Sequence, residues 1–220
     1  MRPITVQVGA LVAADVDAVA QAQTPLAAGN LTLNGAKVVN GVGIIAAAGQ
    51  QRQVLFTFAG ADAGRTLTLY GTNASGNTQS ESVAGASSGT SVSVLHYQTV
   101  TRVAIDAASA GAIEVGTNGV GSTRWINFDE WSMPQIAIQC NGSGTVDYTV
   151  QQTLDDPTSP TNPVTALDVT WINHPDSNLV GATGDVQGNY AYMPKWARIL
   201  LNSGTGSVQG TFIQSYAVSL

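Results

Sequence analysis

The stretch WARILLNSGTGSVQGTF (196–212) sets an apolar run, a Gly/Ser knot and a second apolar run in line. VTRVAIDAASAGAIEVGT (100–117) and PQIAIQCNGSGTVDYTV (134–150) repeat that order. Short β-branched runs bounded by Gly, Asn and Ser are strand signals. Gly and Asn also tolerate the positive φ that a tight reversal needs. Each stretch is therefore expected to be a β-hairpin within stacked sheets. In the third, ARILL and TFI are apolar at consecutive positions, which suits a central strand or one covered on both sides.

The rest of the chain carries the same period. In RQVLFTF, Val54, Phe56 and Phe58 share one face, and in RTLTLY Leu67 and Leu69 do. TVDYTVQQT sets Val146, Tyr148 and Val150 against Asp147, Thr149 and Gln151. Val103 and Ile105 are in phase, as are Ile113 and Val115, and Cys140 with Ile136 and Ile138. Alternation of period two marks half-buried strands. The Ala-rich ALVAADVDAVAQAQ (10–23) has helical composition, but Val12, Val16 and Val19 are β-branched, and a strand or irregular arm is the better reading. Strands spaced about 8–14 residues apart indicate a β-sandwich or barrel.

Two consecutive β-sandwich units, jelly-roll or Ig-like, are expected, joined by a short Gly-rich linker. Glycine density rises in GTNGVGSTRW (116–125), which places the units at 1–118 and 119–220. The first carries an extended N-terminal arm, MRPITVQVG, and the second a long Pro-rich segment (153–194) with five of the eight prolines. Proline cannot donate to a sheet ladder, so that segment is expected to be mostly loop with short edge strands. Long loops in compact domains are often functional, which makes this one a candidate partner surface.

Of the 220 residues 44% are hydrophobic and 10% charged, against about 25% charged in ordinary domains. That excludes a disordered chain and leaves a surface of amides and hydroxyls. The net charge of −6 and only two lysines, Lys37 and Lys195, argue against nucleic-acid binding. No apolar segment follows Arg2 and no run reaches about 20 apolar residues, so neither a secretory signal nor a membrane span is expected. The sequons at 73–75 and 141–143 read as turn chemistry. Cys140 is the sole cysteine and reads as a small buried apolar residue.

Few residues offer chemistry. His96 sits in a strand beside Tyr97 and reads as structural, while His174 in INHPD could meet Asp176. No nucleophile-elbow, zinc-protease or phosphate-loop motif occurs. Asp155, Asp156, Asp168, Asp176 and Asp185 do not follow calcium-loop spacing. Glu81, Glu114 and Glu130 read as solvated. No catalytic residue, metal or cofactor is expected. Trp125, Trp131, Trp171 and Trp196 read as core filling, with Trp171 the exception because it lies in the Pro-rich loop.

TLYGTNASGNTQSESVAG with TVTRVAIDAASAGAIEVGTNGVGS resembles virion structural proteins of tailed bacteriophages. So do SGTVDYTVQQTLDDP, WINHP, GNYAYMP and ARILLNSGTGSVQGTFIQS. The resemblance covers most of the chain and implies a non-enzymatic part of the particle, assembled in the host bacterial cytoplasm. A capsid decoration or cement role ranks first, and a collar, neck or tail accessory role second. The implied partners are the major capsid protein or neck and tail proteins, together with copies of the chain itself. Arg2, Pro3 and Ile4 are candidate contacts, through an arm that adds a strand to a partner's sheet. Trp171 and His174 are candidates in the long loop. A carbohydrate-binding module using Trp171 and nearby acids is the alternative from another class, and a glycan-cleaving enzyme ranks last.

Overall fold

The computed structural model describes residues 3–11, 13–128 and 135–214. Arg2, Val12, Glu130 and Trp131 lie outside the described residues. The strands are β1 (Pro3–Gly9), β2 (Asp15–Gln23), β3 (Gly29–Asn30), β4 (Val38–Val39), β5 (Val42–Ile44) and β6 (Gln50–Ala61). There follow β7 (Thr66–Thr72), β8 (Thr78–Ala84), β9 (Ser87–Val92), β10 (Thr99–Ile105), β11 (Ile113–Thr123) and β12 (Ile126–Asn127). The last are β13 (Ile136–Ser143), β14 (Val146–Thr153), β15 (Ile172–Asn173), β16 (Val186–Tyr190), β17 (Trp196–Gly204) and β18 (Ser207–Gln214). The fold is all-β, as the alternation requires, and the Ala-rich segment forms strand β2 over Asp15–Gln23 rather than a helix. Among the described residues no helix is long and apolar enough to cross a membrane.

The chain forms two compact units, Ala13–Gly119 and Met1–Val12 with Val120–Leu220. In the first, one layer runs β4-β5-β10-β7-β8, with β3 also on β10. The other holds β9, β6, the start of β11, and β2. Val54, Phe56, Leu67, Leu69 and Val103 are fully buried, and the Val19 methyls lie against Gly43 between the layers. Buried polar groups are held by backbone. Glu81 accepts hydrogen bonds from the Val94 and Leu95 amides at 2.8 and 3.2 Å, while burial raises its carboxyl above the usual range. Arg52, buried and lowered to about 10 by desolvation, donates to the Asn118 carbonyl. The NASGN turn joins β7 and β8 as a true hairpin, in which Asn73 Oδ1 accepts from the Ser75 and Asn77 amides. A second hairpin joins β4 and β5 through Asn40-Gly41, with φ of 51° and 79°. Positive φ at both turn residues is the signature of an Asn-Gly type I′ turn.

In the second unit one layer runs β1-β18-β13-β16, and the other holds β15, β14, β17, β12 and the end of β11. Val6, Val8, Ile136, Ile138, Cys140, Tyr190, Val208 and Phe212 meet Ile126, Val146, Tyr148, Val150, Ala197, Ile199 and Leu201 in one core. Cys140 is fully buried there, and burial pushes its thiol up to about 12. β17 and β18 are both interior strands, as their two-sided apolar runs suggest.

Four expectations change. The three Gly-knotted stretches are not hairpins: β10 and β11, β13 and β14, and β17 and β18 each lie in different sheets. Each knot is a corner that carries the chain from one layer to the other. Two of the corners nest, with the Gly206 amide donating to the Thr145 carbonyl at 2.9 Å. Inward-facing alternation and a flexible turn are common to hairpins and corners, so the local pattern does not separate them.

The Gly-rich segment at 116–125 is not a linker; most of it is strand β11. Gly116 is needed because a Cβ there would collide with the Asp15 and Val16 backbone, so close strand approach explains the glycine. The N-terminal arm belongs to the second unit, not the first. It does not extend away: β1 pairs antiparallel with β18 from Pro3↔Ile213 to Gly9↔Ser207, and Val6 and Val8 enter the core.

Candidate functional site

The outward face of the β15-β14-β17-β12 layer collects the aromatic and cationic side chains of the second unit. Register makes it. Asn173 faces Gln151, and Gln151 faces Arg198. Thr153 faces Trp196, which faces Asn127 on its other side. Side chains directly opposite on one face are neighbours. Their sequence neighbours Ala197 and Ile126 are buried, so Arg198 and Trp196 point outward by alternation. Trp171 immediately precedes β15 and Trp125 immediately precedes β12, which brings two distant segments onto the same face.

The rings pack edge to face. Trp125 and Trp171 have centroids 5.1 Å apart at 72°, and Trp125 and Trp196 are 6.3 Å apart at 68°. The Arg198 guanidinium lies 4.2 Å from the Trp171 ring centroid, a cation–π distance. Its Nε donates to Gln151 Oε1 at 2.9 Å, and Gln151 Nε2 donates in turn to Asn173 Oδ1 at 3.0 Å. This chain of amides fixes the plane of the guanidinium. Burial lowers the Arg198 pKa to about 9, and the group stays a cation at neutral pH. Trp125, Trp171, Trp196 and Arg198 each remain half-buried.

The loop acids hold the loop. Asp155 Oδ2 accepts from the Thr170 amide at 2.7 Å. Asp156 pairs with Lys195 at 3.3 Å and accepts from the Trp196 Nε1 at 3.4 Å. Burial acts to raise the Asp156 carboxyl, but bonds from Thr158, Lys195 and Trp196 outweigh it and hold it below its usual range. The acids near Trp171 are thus structural anchors, and the charged group of this face that has no carboxylate partner among the described residues is the partly buried Arg198 cation. Leu154, which follows Thr153 in the chain, is 72% exposed.

His174 lies inside instead. It continues past β15, its amide donating to the Val150 carbonyl at 2.9 Å, so it turns to the core side. Its ring lies 4.5 Å from that of Tyr190, and Nδ1 accepts from the Asp176 amide at 3.0 Å. The expected meeting with Asp176 is therefore through backbone. At 3% exposure it does not offer a contact surface, because the register puts it on the same side as Val150. Burial lowers its pKa, against the pull of Asp176 and the Asn189 backbone. The unfolded chain, with an ordinary histidine, takes the proton first as pH falls. The stability held by neutral His174 is thus complete above pH ~6.5 and is lost on acidification. Between pH 7.5 and 5 the melting temperature of this unit should fall more steeply for the wild type than for His174→Gln. Parallel slopes would assign the pH dependence to other groups.

Of the remaining candidates, Pro3 is exposed and Ile4 half-buried against the core, both within β1. His96 is buried in the first unit, and Gln79 Nε2 donates to its carbonyl at 2.6 Å. An open depression of about 600 Å³ is lined by residues of 177–187, and its acid, Asp185, is engaged by the Gly142 amide at 2.9 Å. Among the described residues no group of three or more His, Cys, Asp or Glu is placed to hold a metal ion. Sequence reading missed Arg198 entirely. Its only local signal was a lone charge in an otherwise apolar strand. No model of a known protein family matches the chain, and no curated protein matches it either.

Proposed function

We propose that this chain is a non-enzymatic structural component of a tailed-phage virion, with capsid decoration or cementing as its role. The observation that carries the reading is strand β9, SSGTSV. It pairs with β6 through Leu55↔Val92 to Ala61↔Ser87 and ends its layer. Residues 84–95 contain no charge and no proline, and Val92 and Val94 are 43% and 68% exposed. Monomeric proteins protect sheet edges with lysine, proline or bulges. One register shift interrupts the β9 ladder, between Phe58 and Ala61; the regular stretch from Gly89 to Val92, without charge or proline, suits strand addition by a partner. The edge strand β8 adds exposed Thr78, Ser80, Ser82 and Ala84, a hydroxyl face with no charge. The resemblance to virion proteins supplies the setting, with the major capsid protein and copies of this chain as partners.

Particles made without this chain test the reading. Heads that rupture on heating or dilution support decoration. Intact heads lacking a collar or tail feature move the chain to the neck or tail. Particles normal in every respect refute a structural role. In complementation, Val92→Lys with Val94→Lys should leave the isolated protein's melting temperature within a few degrees, since both side chains are exposed. Its incorporation into particles should drop at least tenfold.

A further inference from the structure

We propose that the Trp171–Arg198–Trp125 face binds a saccharide bearing isolated carboxylates, with Arg198 as the anion-binding residue. The Arg198 side chain is set as a receptor is. Its Nε is used by Gln151 and its plane is covered by Trp171, which leaves the fork of terminal amino groups. Among the described residues no carboxylate pairs with that fork. A guanidinium fork binds a carboxylate through two parallel hydrogen bonds, and a half-desolvated one binds it more strongly than a solvated one.

The surroundings select what carries the carboxylate. Indole rings offer stacking area to the C–H face of a sugar. Gln151, Asn173 and Asn127 lie on the same face by register, and their amides match sugar hydroxyls in both donor and acceptor roles. A densely charged polyanion is disfavoured by the net charge of −6 and by Asp155 and Asp156 in the adjoining loop. A mostly neutral glycan with spaced uronate or sialate groups meets both conditions. This site does not depend on the role in assembly proposed above, and neither result decides the other.

The test titrates the intact protein, followed by tryptophan fluorescence and calorimetry, with glucuronate-, galacturonate- and sialate-bearing oligosaccharides. Neutral oligosaccharides of equal length and a Glu-containing hexapeptide are the comparison probes. At least one acidic oligosaccharide should bind and quench fluorescence, with its neutral counterpart weaker by about ten- to a hundredfold, the value of a charge-assisted pair. Arg198→Lys keeps the charge but loses the fork. It should weaken the acidic probe about tenfold and leave any neutral binding unchanged. Trp171→Phe keeps an aromatic ring in place and should weaken both probes. Should a variant lose its fold, added salt on the wild type serves instead, since it screens the acidic probe alone. Silence from every acidic oligosaccharide, equal affinity for neutral ones, or preference for the acidic peptide would each overturn the proposal.

Discussion

A chain lacking residues 1–9 is expected to lose the fold of its second unit while Ala13–Gly119 remains folded. β1 is an edge strand, but it contributes two fully enclosed core side chains. Val6 and Val8 are 6% and 0% exposed, and burying a valine stabilises by about 1.5–3 kcal/mol. Removing β1 also strips β18 of a partner along seven residue pairs and opens the core beside Phe212. Whole domains are stable by only about 5–15 kcal/mol, so the loss takes most of the margin. The readout is clean because the sequence has no tryptophan within Ala13–Gly119, while Trp125, Trp171 and Trp196 belong to the second unit. Their fluorescence should shift to that of solvent-exposed indole, while hydrogen exchange within 13–119 stays slow. A synthetic peptide of residues 1–11 should restore the native emission by refilling the place beside β18. Native emission in the truncated chain without peptide would mean that β1 is a dispensable arm.

Phe212→Ala should have the next largest effect. Phe212 is fully buried, pairs across the ladder with Ile4 and Ile138, and lies 6.0 Å from the Phe128 ring. Its neighbours come from β1, β13 and the residue that follows β12, and cannot all close in. Phe→Ala in such a site costs about 3–5 kcal/mol, a drop in melting temperature on the order of 10–20 °C. Tryptophan emission should report that drop, and Phe212→Leu should recover more than half of it. A change below about 1 kcal/mol would place Phe212 outside a close-packed core.

The candidate site was only partly legible. Trp171 stood out because it lay in a proline-rich loop, and the structure does set it on an outward face. Trp125 and Trp196 read from sequence as core filling, yet they join it there. Arg198 gives only the signal of a lone charge, since one arginine between Ala197 and Ile199 reads as an outward strand residue and no more. Its surroundings come from residues 125, 151 and 171, separated by tens of positions, and only strand register makes them neighbours. His174 failed in the opposite sense. Its place in the long Pro-rich loop suggests a surface, and pairing beyond β15 turns it inward.

The chain's own alternation determined that it would be all-β and which side chains would be buried: Val54, Phe56, Leu67, Leu69, Tyr148, Val150 and Cys140 all lie where the period of two puts them. That follows because alternation is a property of each strand alone, whatever strand it pairs with. Tertiary structure alone decided which strands pair. WARILLNSGTGSVQGTF would present the same inward residues as a hairpin or as a corner between layers. It is a corner because β14 flanks β17 in one sheet while β1 and β13 flank β18 in the other. Those partners lie from tens to some two hundred residues away, and hydrogen bonding between strands leaves no mark in the local order of side chains.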